Sequence, residues 1–190
     1  MENIVLENQY GQEPGNFNRF AIPVRWGIIV GLMLCVLATI QFTFAVNSWF
    51  LFMSFWLISF IVSMVMYVIA GMQQRKAMGG YITFKDAFQA IFIVILISLA
   101  IYTLYTVIYM KVIDPEVMTK VQESTLAFME RSNVPQEQID EAMADFEKRV
   151  EDSNNIGKIF LNFLTSIIIY SIFGFICAAI VKKKKPEFGA

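Results

Sequence analysis

Few side chains in this chain could do chemistry, and their types narrow the possibilities quickly. Histidine is absent from all 190 residues. That removes the usual haem-b ligands, the Ser-His and Cys-His dyads and most zinc sites. The cysteines Cys35 and Cys177 stand alone rather than as a Cys-x-x-Cys pair, so nothing indicates a quinone-linked disulfide generator. Both lie in strongly apolar stretches and read as small buried residues. If the chain carried an activity, Lys85, Asp86 and Asp114 are the polar groups to mutate first. No catalytic, cofactor-binding or metal-binding residue is assigned, and the expectation is that the protein is not an enzyme.

The elements that would position these residues are unusually apolar. The chain is 57% hydrophobic and 16% charged, with mean hydropathy +0.57; a soluble domain runs at about 45–50% and about 25%. This excludes an ordinary soluble globule, a disordered chain and a disulfide-rich secreted module. A net charge of -1 carries no footprint for nucleic acid. Four stretches, 26–46, 49–71, 88–110 and 159–181, contain no Lys, Arg, Asp or Glu. Each is long enough to cross a bilayer core, which takes about 20 helical residues. Hydrocarbon offers no hydrogen-bond partners, so each crossing must be a helix that satisfies its own backbone. Cys35 and Cys177 then differ in depth by roughly 9 Å at ~1.5 Å per residue, too far for a disulfide. Residues 1–20 lack the apolar core of a cleavable signal, so the first span is expected to act as its own targeting signal, with Pro23 tolerated at its start.

The charges sort by side. Residues 1–25, 72–87 and 182–190 carry nine basic and five acidic groups, net +4, whereas residues 47–48 and 111–158 carry net -5. The positive-inside rule then places both termini in the cytoplasm as tails (1–25 and 182–190) and residues 111–158 outside. Trp26, Trp49 and Tyr109 fall at span ends, as an aromatic belt would. The run Lys182, Lys183, Lys184 and Lys185 reads as a stop-transfer anchor that can also attract anionic lipid. With no ionisable group in the span cores, an ion-coupled transporter is not indicated. The hydroxyls and amides there (Gln41, Ser59, Ser98, Thr103, Asn162 and Ser166 among them) are expected to bond to neighbouring helices or their own backbone. Gly27 and Gly31 form a GxxxG, and Gly174 with Ala178 repeats the spacing; these predict close packing of spans one and four, or a dimer.

Between spans three and four, Asp114-Pro115-Glu116 reads as a helix start with Asp114 as N-cap and Pro115 in the first turn. That helix runs to about Arg131. A second begins after Ser132-Asn133-Val134-Pro135 and continues to about Asp152. Val117, Val121 and Phe128 on the first, and Ile139, Met143, Phe146 and Val150 on the second, form one apolar stripe each, which predicts an antiparallel hairpin. Asn154-Asn155-Ile156-Gly157 ends it. The fold class is therefore all-α: a four-transmembrane-helix bundle with an extramembrane helical hairpin.

The most specific local stretch is Gly79-Gly80-Tyr81-Ile82-Thr83-Phe84-Lys85-Asp86-Ala87-Phe88. Mechanically it is a Gly-Gly turn followed by Thr83 as N-cap, with Asp86 three residues on, so that span three starts near Phe84 and Lys85 reaches the membrane surface. Followed one span later by Ile113-Asp114-Pro115-Glu116, then a spacer sized for a helical hairpin and a last span with a basic tail, it resembles a bacterial membrane-protein family catalogued as domain of unknown function 4199. The resemblance runs from about Ala21 to Lys185. It implies an inner-membrane protein of the Bacteroidetes type, brings no activity or catalytic residues, and suggests a polyprenyl-phosphate glycosyltransferase as a partner. The leading functional expectation is a non-enzymatic accessory or scaffold subunit acting by association with a partner or with itself. The alternative is a carrier or handler of a lipid-like or apolar substrate, with a lateral cleft lined by Phe, Met and small residues. Tag-accessibility mapping tests the topology: Met78 and Glu130 are expected to label from opposite faces of the membrane.

Overall fold

The computed structural model describes residues 19–184. The tails before and after these, including Lys185 of the basic run, lie outside the described residues. Among the described residues the chain forms six α-helices and no strand: α1 (Ala21–Ile40), α2 (Trp49–Ala77), α3 (Phe84–Ile108), α4 (Val117–Arg131), α5 (Gln136–Ser153) and α6 (Ile156–Val181). α1 and α3 each run on into a five-residue π turn, Gln41–Ala45 and Tyr109–Ile113. The four spans are thus Ala21–Ala45, Trp49–Ala77, Phe84–Ile113 and Ile156–Val181. They exceed the uncharged stretches because helix geometry continues into the polar rims. Span two carries Arg75 and Lys76 in its last turn, where cations suit the helix dipole. The expected loop 72–87 shrinks accordingly to residues 78–83.

The outward faces confirm the solvent. Leu32, Trp56, Ile61, Ile168 and Ile180 are each more than half exposed. Water would not tolerate so continuous an apolar surface, but lipid does. This is an integral membrane protein. Hydroxyls within the spans bond back to their own helices, as Ser54 does to the Phe50 carbonyl, Thr165 to Leu161 and Ser171 to Ile167. Ser98 does this to Ile95 and also meets the Tyr67 hydroxyl at 3.1 Å, linking spans two and three inside the core.

Span three is the hub. An added Cβ at Gly27 would lie 2.7 Å from Ile97 Cβ, and one at Gly31 2.9 Å from Ile101 Cβ, both on α3. Gly174 of α6 faces Ile95, Ile91 and Phe88, also on α3. The expectation that these glycines join spans one and four is therefore corrected: each brings its own helix against a different face of span three. One core, built from Val30, Tyr67, Ile91, Ile95, Cys177 and Val181, fills the bundle toward the basic end. A second, built from Ala38, Phe42, Val46, Tyr109, Val117 and Val121, fills the hairpin end. Tyr109 is only 5% exposed and packs on Phe42 with ring centroids 5.0 Å apart. It is a core residue and not part of a lipid-facing belt, because it continues the inward stripe of α3 after Tyr102 and Tyr105, its amide still bonded to the Tyr105 carbonyl. Cys35 and Cys177 are both free thiols.

Overpacking at a helix contact costs about 1–3 kcal/mol. Gly27→Ala is expected to lower thermal stability in detergent by that order, since the obstructing atom is a branched carbon beside the α3 backbone. Gly174→Ala should cost less, because it meets only the mobile end of Ile95. Equal stability of Gly27→Ala and the parent would contradict this packing.

Candidate functional site

At the basic end, the Gly79–Phe88 stretch becomes a clasp that gathers all four spans. Gly79 and Gly80 have φ of +82° and +88°, the left-handed region that glycine enters without strain. This lets the Gly80 amide turn back to the Arg75 carbonyl at 2.9 Å and end α2. The chain then pairs with the tail of span four: Ile82 and Lys183 exchange both backbone hydrogen bonds, at 3.0 and 3.1 Å. Lys183 Nζ lies 5.6 Å from the centre of the Tyr81 ring. The Arg75 guanidinium donates to the Val181 carbonyl at 3.0 Å, capping the last turn of α6.

Thr83 is the N-cap of α3. Its Oγ1 accepts from the Asp86 amide at 3.2 Å and donates to the Asp86 carboxylate at 2.7 Å. The other Asp86 oxygen pairs with Arg19 at the start of span one. Gln74 donates to the Arg19 carbonyl at 3.1 Å, and Trp26 donates to Gln73 at 2.9 Å. Phe84 and Phe88 stack on Phe175 of span four. Lys85, Lys182 and Lys184 are exposed at this rim. Arg19, Gln74 and Arg75 carry no motif in sequence; only the meeting of four helix ends gives them partners. The clasp is structural in its chemistry: every polar contact in it closes a helix end or an interhelix seam.

At the opposite end Asp114 and Pro115 take different parts from those expected. Asp114 is not the N-cap of α4. Its amide still bonds to the Tyr109 carbonyl of the preceding π turn at 2.9 Å. Helix geometry resumes only at Val117, after a turn through Pro115 and Glu116. The Asp114 carboxylate accepts from the Glu116 amide at 3.2 Å and from Lys120 Nζ at 2.8 Å. That hydrogen bond raises the Lys120 pKa above the ordinary lysine value. Its contribution is complete at neutral pH and is lost only as pH rises through the raised value.

α4 is seated firmly. Val117 and Val121 are buried in the hairpin-end core, and Phe128 stacks on Trp49 at the start of span two, with ring centroids 3.8 Å apart and planes 12° from parallel. Asn133, at φ +52°, makes the turn into α5. α5 returns across α4 with Ile139 buried and Phe146 packed on the same core. Its other face is free and acidic. Glu137, Asp140, Glu141, Asp145, Glu147 and Glu151 are all exposed, with Lys148 and Arg149 as the cations of that helix. Among the described residues, no three Cys, Asp or Glu side chains are placed to hold a metal ion.

This architecture of four spans, a clasp and an external hairpin has a counterpart in sequence. A family model described as Protein of unknown function (DUF4199) matches residues 25–183. The chain belongs to the DUF4199 family. The match takes in the hairpin and all of the clasp but Arg19, so the DUF4199 region and the folded bundle are nearly coextensive. No curated protein and no solved structure shows a significant match.

Among the described residues the Trp49–Phe128 stack is the one ring-on-ring contact between the hairpin and span two. Trp49→Ala is expected to weaken the seat by about 1 kcal/mol. Hydrogen exchange should quicken in α4 and α5 while the amides of α3 keep their protection. Unchanged exchange in α4 would show that the stack does not hold the hairpin.

Proposed function

We propose that the chain is a non-enzymatic accessory subunit of a membrane assembly, with α5 as its contact surface. The observation that carries this is the disparity between how much of α5 is displayed and how little of it the fold uses. Of its 18 residues only Ile139 is buried, while six carboxylates face solvent. α4 anchors it from below, so the acidic face is held out from a fixed base rather than on a loose loop. The matching partner is a membrane protein with a basic surface on the same side. Self-association through α5 would bring like charges together, so a homo-oligomer would use the spans instead.

The charge asymmetry supports an orientation with both termini cytoplasmic and the hairpin on the opposite side, and the family resemblance suggests a bacterial inner membrane, which would put the hairpin in the periplasm. A polyprenyl-phosphate glycosyltransferase, suggested by the family resemblance, is one candidate partner. Affinity purification of the full chain from native membranes in mild detergent tests the reading. A stoichiometric companion is expected, and it should be lost when Asp140 and Glu147 are both changed to Lys with the fold intact. Recovery of a lone monomer across several detergents would overturn the proposal.

A further inference from the structure

The bundle is tied by polar contacts at its basic end, and chambers open beside the first half of α6. A chamber of about 280 Å³ lies where α3, the hairpin and α6 meet. A second, of about 320 Å³, adjoins it across Thr103 and Ser166 and reaches deeper, toward Gln41 and Ser59. On the lipid side, an almost wholly apolar groove runs between α3 and α6 past Leu104, Phe160 and Phe163, and shares Thr103 and Phe163 with the first chamber. The lining is apolar over most of its area, with Phe60, Met110, Met118 and Phe163 in it, and the hydroxyls and amides of Gln41, Thr103, Thr106, Asn162 and Ser166 are set among these. The Asn162 amide has no side-chain partner, and Ser59 Oγ is buried without one. Polar groups left open at membrane depth are costly unless a ligand or water completes them.

The electrostatics choose among ligands. This is the acidic end of the chain, yet among the described residues no carboxylate lines the first chamber, and the one charged residue that does is Lys111. Lys120 and Lys158, the nearby lysines of the hairpin and α6, are paired with Asp114 and Asp152. Lys111 has no ion-pair partner among the described residues. We infer that this cleft binds a single anionic membrane lipid. The headgroup phosphate sits at Lys111, with the Asn162 amide as its hydrogen-bonding neighbour, and one acyl chain lies in the Leu104–Phe160 groove. A lone cation at the mouth of an amphipathic cleft gives both charge complementarity and a fixed depth for the headgroup.

The test uses the full chain in mild detergent, equilibrated with equal amounts of phosphatidylglycerol and phosphatidylcholine of matched acyl chains. Native mass spectrometry is expected to find one tightly retained phosphatidylglycerol. Lys111→Gln should reduce that retention about tenfold and leave phosphatidylcholine unchanged. Lys148→Gln, on the exposed face of α5, should change neither. Ser166→Leu, which fills the junction of the chambers, should lower retention of the anionic lipid as well; if it does not fold, exposed Lys111 decides alone. Equal retention of the two lipids, or equal effects of the two lysine variants, overturns the inference. So does thermal stabilisation by inorganic phosphate alone that matches the lipid's, since the site would then hold a free anion.

Discussion

Hydrocarbon cannot accept or donate a hydrogen bond, and most of this structure follows from that. Each span must satisfy its own backbone, so the chain crosses the membrane four times as helix and turns only at the two rims. The same constraint governs the hydroxyls. Ser54, Thr165, Ser166 and Ser171 all donate to a carbonyl one turn earlier on their own helix, which hides the donor without calling on a neighbour. Among the described residues two π turns, Gln41–Ala45 and Tyr109–Ile113, depart from α geometry, and each sets one face into the hairpin-end core while Phe44, Val112 and Ile113 face outward. Phe42 and Tyr109 pack together there beneath Val117, and Gln41 reaches across to the Phe52 carbonyl at 3.1 Å.

Within lipid there is little hydrophobic force to press helices together, so contact depends on how closely the backbones can approach. Glycine supplies that approach at Gly27, Gly31, Gly71 and Gly174, and all four face span three or the seam beside it. The two ends are then finished differently. The basic end is tied by polar groups that cap helix termini: Arg75 on Val181, Thr83 with Asp86, and the Ile82–Lys183 pairing. The hairpin end is plugged by apolar side chains of α4. α6 is clasped at its C-terminus and less closely packed at its N-terminus, and that asymmetry opens the chambers beside it.

The sequence was most readable where structure depends on neighbours a few residues away. Thr83 as N-cap, the Gly79-Gly80 turn and the stripes of the two hairpin helices are local properties, and the fold contains them. It was least readable where a long-range contact intervenes. Asp114 has the chemistry of an N-cap, but its amide is held by the π turn before it, so α4 starts two residues later than such a cap would place it. Tyr109 sits at a span end like a belt residue, but it lies on the inward stripe of α3, where Phe42 of span one packs on it. The polar residues Thr103, Thr106, Asn162 and Ser166 were visible as separate helical hydroxyls and amides. Their convergence on one cavity was not, because they belong to two helices whose relative rotation no single-helix pattern encodes.

What the sequence determined by itself is what one segment and its solvent decide: four lipid-facing helices, the asymmetry of charge between their two ends, and an amphipathic hairpin too polar to enter the membrane. What only the tertiary structure decided is which faces meet. It made span three the hub, joined Arg19, Arg75, Asp86 and Lys183 into one clasp, and left Lys111 as the lone charge beside an open cleft. The reason is physical. Hydropathy and helical period are summed along one helix at a time, whereas the pairing of helix faces depends on close-range shape and on partners more than sixty residues away in sequence, as between Arg19 and Asp86.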